Sequence, residues 1–423
     1  MSASPLDELA WRELIAQHTE GLRELLERGP VDAYCGFDPT APSLHVGNLV
    51  PIMGLVHLQR SGHRPIALVG GGTGLIGDPS GKASERPLAN TETVSANAAL
   101  LRSQLERFLD FSGPGAARMR DNADWLTKLR AVDFMRDVGK HFTINYMMAK
   151  ESVKTRLDEG ISYTEFSYML LQAYDYLELY RREGATLQIG GSDQWGNITA
   201  GMELIRRSGE GDAHALTLPL VTTASGTKFG KTEAGAVWLD ASLTSPYKFY
   251  QFWINADDRD VGRYQRFFTL LPRTEIEAWD EEVAEHPERR EAQRVLAKEV
   301  TTRVHGATAA RVCEEMSDIL FGGADARTLS EAALFAMGSE IPFVEVPAPA
   351  DGVLDALDMF VAARLVASKG AGRRLLEQGG LYVNGARLAS SDRALPLDSL
   401  LEGGHLLLRK GAREYCLVAV LRG

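Results

Sequence analysis

Residues 35–49 read CGFDPTAPSLHVGNL, and their order decides how the first part of the chain is built. The apolar residues of "VDAYCGF" suit a short strand, and "DPTAPS" is turn chemistry. "LHVGNLVPIMGLVHLQRSG" then carries the periodicity of a helix. A strand that delivers its chain to a helix start offers free N–H groups and the positive dipole end to a phosphate. Asp38, Thr40, His45 and Asn48 stand at this junction. One histidine at a helix start is more often structural than catalytic, so the stretch gains meaning only from its surroundings.

Outward from this unit, "RPIALVGGG" reads as a second strand, apolar on both faces as in a covered parallel sheet. A helix over about 91–109 follows. "EGATLQIGGSDQWGN" leads to a helix over about 198–207 and a strand at "ALTLPLVTT". This alternation implies an α/β fold with a Rossmann-like parallel sheet. The mostly helical stretch of about 112–182 is expected as an insertion between two halves of that sheet. Upstream, "SPLDELAWRELIAQHTEGLRELLERGP" is expected to be one helix from Pro5, capped by Ser4 with Asp7 at capping-box spacing and stopped by Gly29 and Pro30. Only helices are expected over 245–337, and "SEIPFVEVPAPADG" reads as a linker. The last seventy or so residues form a small α+β unit ending in the hairpin "HLLLRKGAREYCLVAV". The expected domains are 1–244, 245–345 and 346–423.

The 423 residues are 44% hydrophobic and 24% charged, as in ordinary globular chains. No apolar run approaches the ~18 residues of a spanning helix. The start "MSASPLDELAWRELIAQ" lacks a basic region followed by an apolar one. Cys35, Cys313 and Cys416 lie far apart and suit a reducing compartment. A cytoplasmic protein with no membrane partner is expected. Net charge is −11, but residues 361–423 hold ten basic and five acidic residues, a net +5 against −16 for the remainder. A basic tail on an acidic body suggests a local footprint for an acidic polymer.

"VGGGTGLIGDPSGK", Val69–Lys82, invites two phosphate-binding readings that fail. "GTGLIG" matches the dinucleotide fingerprint, but that motif must open a long helix, and "DPSGK" breaks one at once. The P-loop spacing puts Ile76 where its first glycine belongs and Ala83 where its hydroxyl belongs. A loop rich in glycine merely for turning is the plain alternative. Against it stand the charges Asp78, Lys82 and Arg86.

A second element supplies the specificity. "SGTKFGKT", Ser225–Thr232, places two lysines three apart beside glycines. With "HVGN" it resembles the HIGH and KMSKS signatures of class I aminoacyl-tRNA synthetases. "YCGFDPT", "GLIGDPSGK", "FSYMLLQAYDY" and "QIGGSDQWGNI" narrow the resemblance to the bacterial type of tyrosyl-tRNA synthetase, from about residue 5 to the C-terminus. Asn48 replaces the last histidine of HIGH, and KMSKS reads KFGKT.

The resemblance implies a two-step reaction. The carboxylate of L-tyrosine attacks the α-phosphorus of ATP, and the tyrosyl group then passes to the terminal ribose of tRNA(Tyr). The substrates supply both reacting groups, so the protein contributes position and countercharge. By resemblance, Thr40, His45, Lys82, Arg86, Lys228 and Lys231 act on the phosphates. Gly36, Asp38, Gly47, Asn48, Gly191, Asp193 and Thr232 join Thr40, His45 and the two loop lysines in holding ATP. Mg²⁺ would arrive with the nucleotide, and no dedicated metal cage is visible. Tyr168, Gln172 and Asp175 share one helix face at i, i+4 and i+7. By resemblance, Asp175 and Tyr34 meet the phenol, and Asp78, Tyr168 and Gln172 hold the ammonium. Gln188 and Gln194 add contacts to the pocket.

"LVASKGAGRRLLEQGGLYVNGARL" resembles the S4 RNA-binding domain, with Lys369, Arg373 and Arg374 on or beside a helix. The segment "MRDVGKHFTINYMMAKESV" resembles the family's dimer contact. It makes a homodimer the expectation, with Met135, Phe142, Tyr146 and Met147 as a patch needing a partner; a buried core explains them equally well. Three rivals stay open: a tryptophan-specific relative, a non-catalytic RNA-binding paralogue and a dinucleotide-dependent oxidoreductase.

Overall fold

The alternating strands and helices assemble, in a computed structural model, around a sheet of six strands. The structure describes residues 4–80, 88–154, 160–226, 229–232, 235–321 and 324–421. The strands are β1 (Gln17–His18), β2 (Asp32–Phe37), β3 (Arg64–Val69), β4 (Arg118–Asp121), β5 (Ala185–Gly191) and β6 (His214–Leu218), in the order β1-β6-β5-β2-β3-β4. All neighbours are parallel except β1, which runs antiparallel to β6. The order reverses at β2, between β3 and β5, and ligands of open parallel sheets bind beyond the strand ends at such a point.

The sequence explains the layers. The helix Leu49–Arg60 is buried along nearly its whole length against β2, β3 and β5, which is why it shows no amphipathic stripe. Pro51 lies in its first turn, where a missing N–H costs nothing. The helix Tyr163–Glu183 packs against the helix Trp195–Arg207. The first is capped by Ser162 Oγ accepting from Glu165 N, and Gly184 ends it in the left-handed region.

Three expectations need correction. The opening helix is broken into Pro5–Trp11 and Leu22–Arg28, with β1 between them, and Ser4 makes no side-chain cap. Glu13 and Gly21 take positive φ at the breaks, and pairing with β6 outweighs local helical preference. The helical insertion begins with a strand: β4 extends the sheet beside β3, although its burial is only partial and its residues are mostly charged. The proline-bearing "linker" contains β9 (Phe343–Pro347), which pairs parallel with the final strand.

Contacts divide the chain into two compact units, 1–304 and 305–423. The first also holds β7 (Lys231–Thr232) and β8 (Gly235–Ala236) and the helices Pro246–Ile254, Asp258–Phe268, Arg273–Glu285 and, but for its last residue, Glu291–His305. The second begins with the helices Ala307–Leu320 and Glu331–Glu340, then β9, β10 (Val353–Asp355), β11 (Leu381–Val383), β12 (Ala386–Arg387), β13 (Ala394–Pro396), β14 (His405–Lys410) and β15 (Glu414–Leu421). Its main sheet runs β12-β11-β14-β15-β9 over a core that includes Phe360, Leu381, Leu406, Leu408 and Val418. The terminal hairpin β14–β15 stands where the sequence puts it.

Candidate active site

The carboxyl ends of β2, β3 and β5 each release a polar turn, and β4 delivers a fourth. From β2 comes Asp38, which ties the strand ends together. Its Oδ2 accepts from Tyr168 OH at 2.7 Å and its Oδ1 from Thr73 Oγ1 at 2.7 Å. This explains Gly70: a Cβ there would collide with the Asp38 carboxylate.

From β4 comes Asn122, fully buried, with three duties. Its Oδ1 accepts from Gly72 N at 2.7 Å, and its Nδ2 donates to Thr73 Oγ1 at 2.9 Å and to Asp175 Oδ2 at 2.8 Å. Trp125 Nε1 donates to the other Asp175 oxygen at 2.7 Å. Burial pushes the Asp175 carboxyl up to about 8, against the pull of the Asn122 and Trp125 donors. Beside it Tyr34, 1% exposed, packs edge-on against Tyr176 at 5.1 Å and leaves its hydroxyl without a partner. Burial above all, then Tyr176 and Asp175, keeps that phenol protonated well above its usual range. Gln188 is paired in register with Tyr34 across β2 and β5, and its Oε1 is likewise buried and unpartnered. Buried polar groups without partners are rare in folded proteins, and these two sit side by side.

A second group faces the same ends. Gln194 Nε2 donates to Asp78 Oδ2 at 2.7 Å, and Ser80 N to Asp78 Oδ1 at 2.9 Å. Asn197 Nδ2 reaches Gln172 Oε1 at 3.0 Å, with Gln194 Oε1 and Ser80 Oγ each at 3.3 Å. So Tyr34, Asp78, Tyr168, Gln172, Asp175, Gln188 and Gln194 are brought together in one polar cluster, here called the recess.

Several of the residues expected to meet the phosphates lie at the entrance to the helix Leu49–Arg60. His45 caps the single 3-10 turn Val46–Asn48: its Nδ1 accepts from Gly47 N at 3.0 Å, and Asn48 Oδ1 accepts from His45 N at 3.0 Å. Asn48 thus serves the capping box with its oxygen. Gly36 is exposed and faces open space, and Thr40 is exposed in the turn after Asp38. On β5, Gly191 leads into the single turn Ser192–Gln194 that carries Asp193. Gly230, Val237 and Trp238 meet the His45 turn too. Val46 N donates to Val237 O at 3.0 Å, Val237 N to Gly230 O at 3.0 Å, and Trp238 lies 6.1 Å from the His45 ring. The backbone of Lys231 and Thr232 forms β7. Lys82, Arg86 and Lys228 lie outside the described residues.

Asn122, Trp125, Thr73 and Asn197 escape the sequence reading. The signal was there: "RDNADW" is a polar turn after a strand, but four mostly charged residues do not look like a strand. Asn197 sits among the apolar residues of its helix, and Asn is unusual on a buried face.

In the second unit, Arg373 and Arg374 are exposed on the helix Lys369–Glu377, whereas Lys369 is paired with Asp358 at 2.5 Å. Arg409 lies 3.8 Å over the ring of Tyr382. In the insertion, Phe142 and Met147 are buried and Tyr146 half-buried; its exposed apolar residues include Val132 (73%), Met135 (60%), Ile144 (60%), Met148 and Tyr163.

Residues 26–322 match the model of the class I tRNA synthetases of the tryptophan and tyrosine group, and residues 335–418 match that of the SYY-like C-terminal domain of tyrosine–tRNA ligases. A tyrosine–tRNA ligase of Anaeromyxobacter dehalogenans is 54% identical over 415 residues, covering 98% of this chain and 99% of its own. One of Bacillus caldotenax is 54% identical over 419 residues, with the same coverage. Among solved structures, a C-terminally truncated mitochondrial tyrosyl-tRNA synthetase of Aspergillus nidulans superposes with a TM-score of 0.68 at 32% identity, covering 75% of this chain and 94% of its own. The sheet, the polar recess beyond its strand ends and these matches lead to one conclusion: the chain belongs to the class I tRNA synthetase family of the tryptophan and tyrosine enzymes.

Proposed function

We propose that this chain acts as a tyrosine–tRNA ligase, activating L-tyrosine with ATP and passing the tyrosyl group to tRNA(Tyr). The observation that carries the choice of amino acid is the pair Tyr34 and Asp175. A phenol placed between them donates to the carboxylate and accepts from the unpartnered Tyr34 hydroxyl. Tryptophan offers one N–H donor and no acceptor, so it leaves the Tyr34 hydroxyl unsatisfied. Phenylalanine leaves both groups buried without partners, the penalty behind strong rejection; tyrosyl-tRNA synthetase is itself the standard example of that rule.

In this reading Gln188 completes the recess around the ring, and Asp78, Tyr168, Gln172 and Gln194 surround the ammonium. Gly36 leaves room for the nucleotide beside β2, with Asp38, Gly47, Asn48, Gly191 and Asp193 around it. Thr40, His45, Lys82, Arg86, Lys228, Lys231 and Thr232 carry countercharge and hydrogen bonds to the phosphates, with Mg²⁺ accompanying ATP as part of the substrate. Arg373 and Arg374 contact RNA phosphates, with Lys369 beside them. Functionally, residues 1–244 carry the catalysis, 245–345 reach the anticodon arm and 346–423 bind RNA. The exposed Val132, Met135 and Ile144 are covered in a homodimer. No helix among the described residues is long and apolar enough to cross a membrane.

The deciding experiment is ATP–pyrophosphate exchange with purified protein in the presence of tyrosine, phenylalanine or tryptophan. Exchange with tyrosine alone is expected. Exchange with tryptophan would overturn the pocket assignment, and no exchange with any of them would overturn the enzymatic reading.

A further inference from the structure

We infer that Asp260 is a positioning residue for the first reaction step, fixing the segment that carries the loop lysines; the inference rests on the activity proposed above. Asp260 lies in the first turn of the helix Asp258–Phe268 and is 4% exposed. A buried carboxylate needs good partners to be tolerated. Its Oδ2 accepts from the backbone N–H of Ala224 at 2.8 Å. One turn on, Arg263 stands 3.6 Å from the other carboxylate oxygen and donates to Thr222 O at 2.5 Å. Asp260 also lies beside the Tyr264 phenol, which burial first and then this carboxylate hold above its usual range. The carboxylate therefore holds the main chain just before the segment.

The same helix holds the segment again further along. Phe229 is buried and stacks on Phe268 at 5.3 Å with the rings 9° apart, and it meets Tyr264 at 5.1 Å. Trp253 and Phe252, from the preceding helix, complete its cage at 5.8 and 5.6 Å. Gly230 then rests on Val46 of the His45 turn, and β7 follows with Lys231. One helix thus holds Ala224 and Phe229, and Gly230 next to Phe229 meets the His45 turn.

The two attachments differ in kind. Phe229 is held by packing. The stretch around Ala224 borders open space: two clefts, of about 660 and 670 Å³, both have Thr223 and Asp260 in their linings. There, directional bonds to Asp260 and Arg263 do the work that packing does elsewhere. Loss of such a bond shifts the main chain without opening a core, so its effect falls on orientation at the reacting phosphates.

The test compares Asp260→Ala, Asp260→Asn and Gln265→Ala in the full-length protein. Gln265 is on the same helix and fully buried, but its Nε2 donates to Ala292 O at 3.1 Å, away from the segment. Steady-state exchange, tyrosine affinity by equilibrium dialysis, Tm, and amide hydrogen exchange over 222–226 are measured. Asp260→Ala is expected to lower kcat for exchange about ten-fold, leave tyrosine affinity within two-fold and speed amide exchange at Ala224. Asp260→Asn, which keeps an acceptor for that amide, is expected to recover most of the rate. Gln265→Ala is expected to lower Tm and leave kcat within two-fold. Unchanged kcat in Asp260→Ala would sink the inference, as would an equal kcat loss in Gln265→Ala. The wild-type protein separates the two claims: if it shows no tyrosine-dependent exchange, the proposed activity fails, while amide exchange at Ala224 still reports whether Asp260 holds the chain.

Discussion

At the scale of single residues, Asp175 concentrates the chemistry of the recess. Burial raises its carboxyl to about 8, while Asn122 and Trp125 aim two N–H donors at its oxygens. A phenol binds the ionised form, so tyrosine affinity should rise with pH from 6 through about 8 and then level off. The linkage to stability runs the other way. The folded-state value lies above the unfolded 3.8, so this group's contribution is complete below 3.8 and is lost as pH rises through about 8. A tyrosine titration at several pH values checks the first point; an affinity flat between pH 6 and 9 contradicts it. Asp175→Ala should abolish tyrosine activation, and near-normal turnover would overturn the pocket. Asn122→Ala removes the link from Asp175 to Gly72 and Thr73, and is expected to weaken tyrosine binding at least ten-fold.

At the scale of elements, the site is an agreement between strand ends and the turns leaving them. The tight approach of β7 to the His45 turn requires Gly230, whose φ is +76° and whose missing side chain leaves room for Val46. Gly230→Ala forces both a left-handed backbone and a clash, so exchange activity should drop sharply while tyrosine affinity is kept. Parallel loss of both would show that the recess depends on that junction. Phe229→Ala empties the cage formed by Phe252, Trp253, Tyr264 and Phe268, and should destabilise the first unit by about 3–5 kcal/mol in denaturant titration. Much of this level is legible in sequence. β2, β3, β5, β6 and the helices after them follow from apolar runs and caps. β4 does not, because an edge strand of Arg, Met, Arg and Asp is set by its neighbour β3 and not by its own composition.

At the scale of the molecule, charge is divided. The C-terminal stretch of net +5 follows a body of net −16, so RNA contact should rest on few phosphates and weaken steeply with salt. Replacing both Arg373 and Arg374 by Ala should reduce the slope of log affinity against log salt by about 2. A slope unchanged in that variant would place the RNA elsewhere. Lys369 is a weaker candidate, since Asp358 already neutralises it. Charging the insertion patch, with Met135→Asp and Ile144→Asp together, should shift sedimentation from dimer to monomer if these exposed residues face a partner copy.

By itself the sequence determined the alternation of strand and helix and the glycine-bearing turns at the strand ends. These are local properties: periodicity, turn chemistry and signature spacing are written in neighbouring positions. Tertiary structure alone decided which distant groups satisfy one another. Asn122 and Trp125 reach Asp175 across some fifty residues, Asp260 reaches back to Ala224, and β1 and β9 become strands against their local reading. The physical reason is that a buried polar group or an open sheet edge must find its partner wherever the fold brings one within about 3 Å, and no local pattern records that distance.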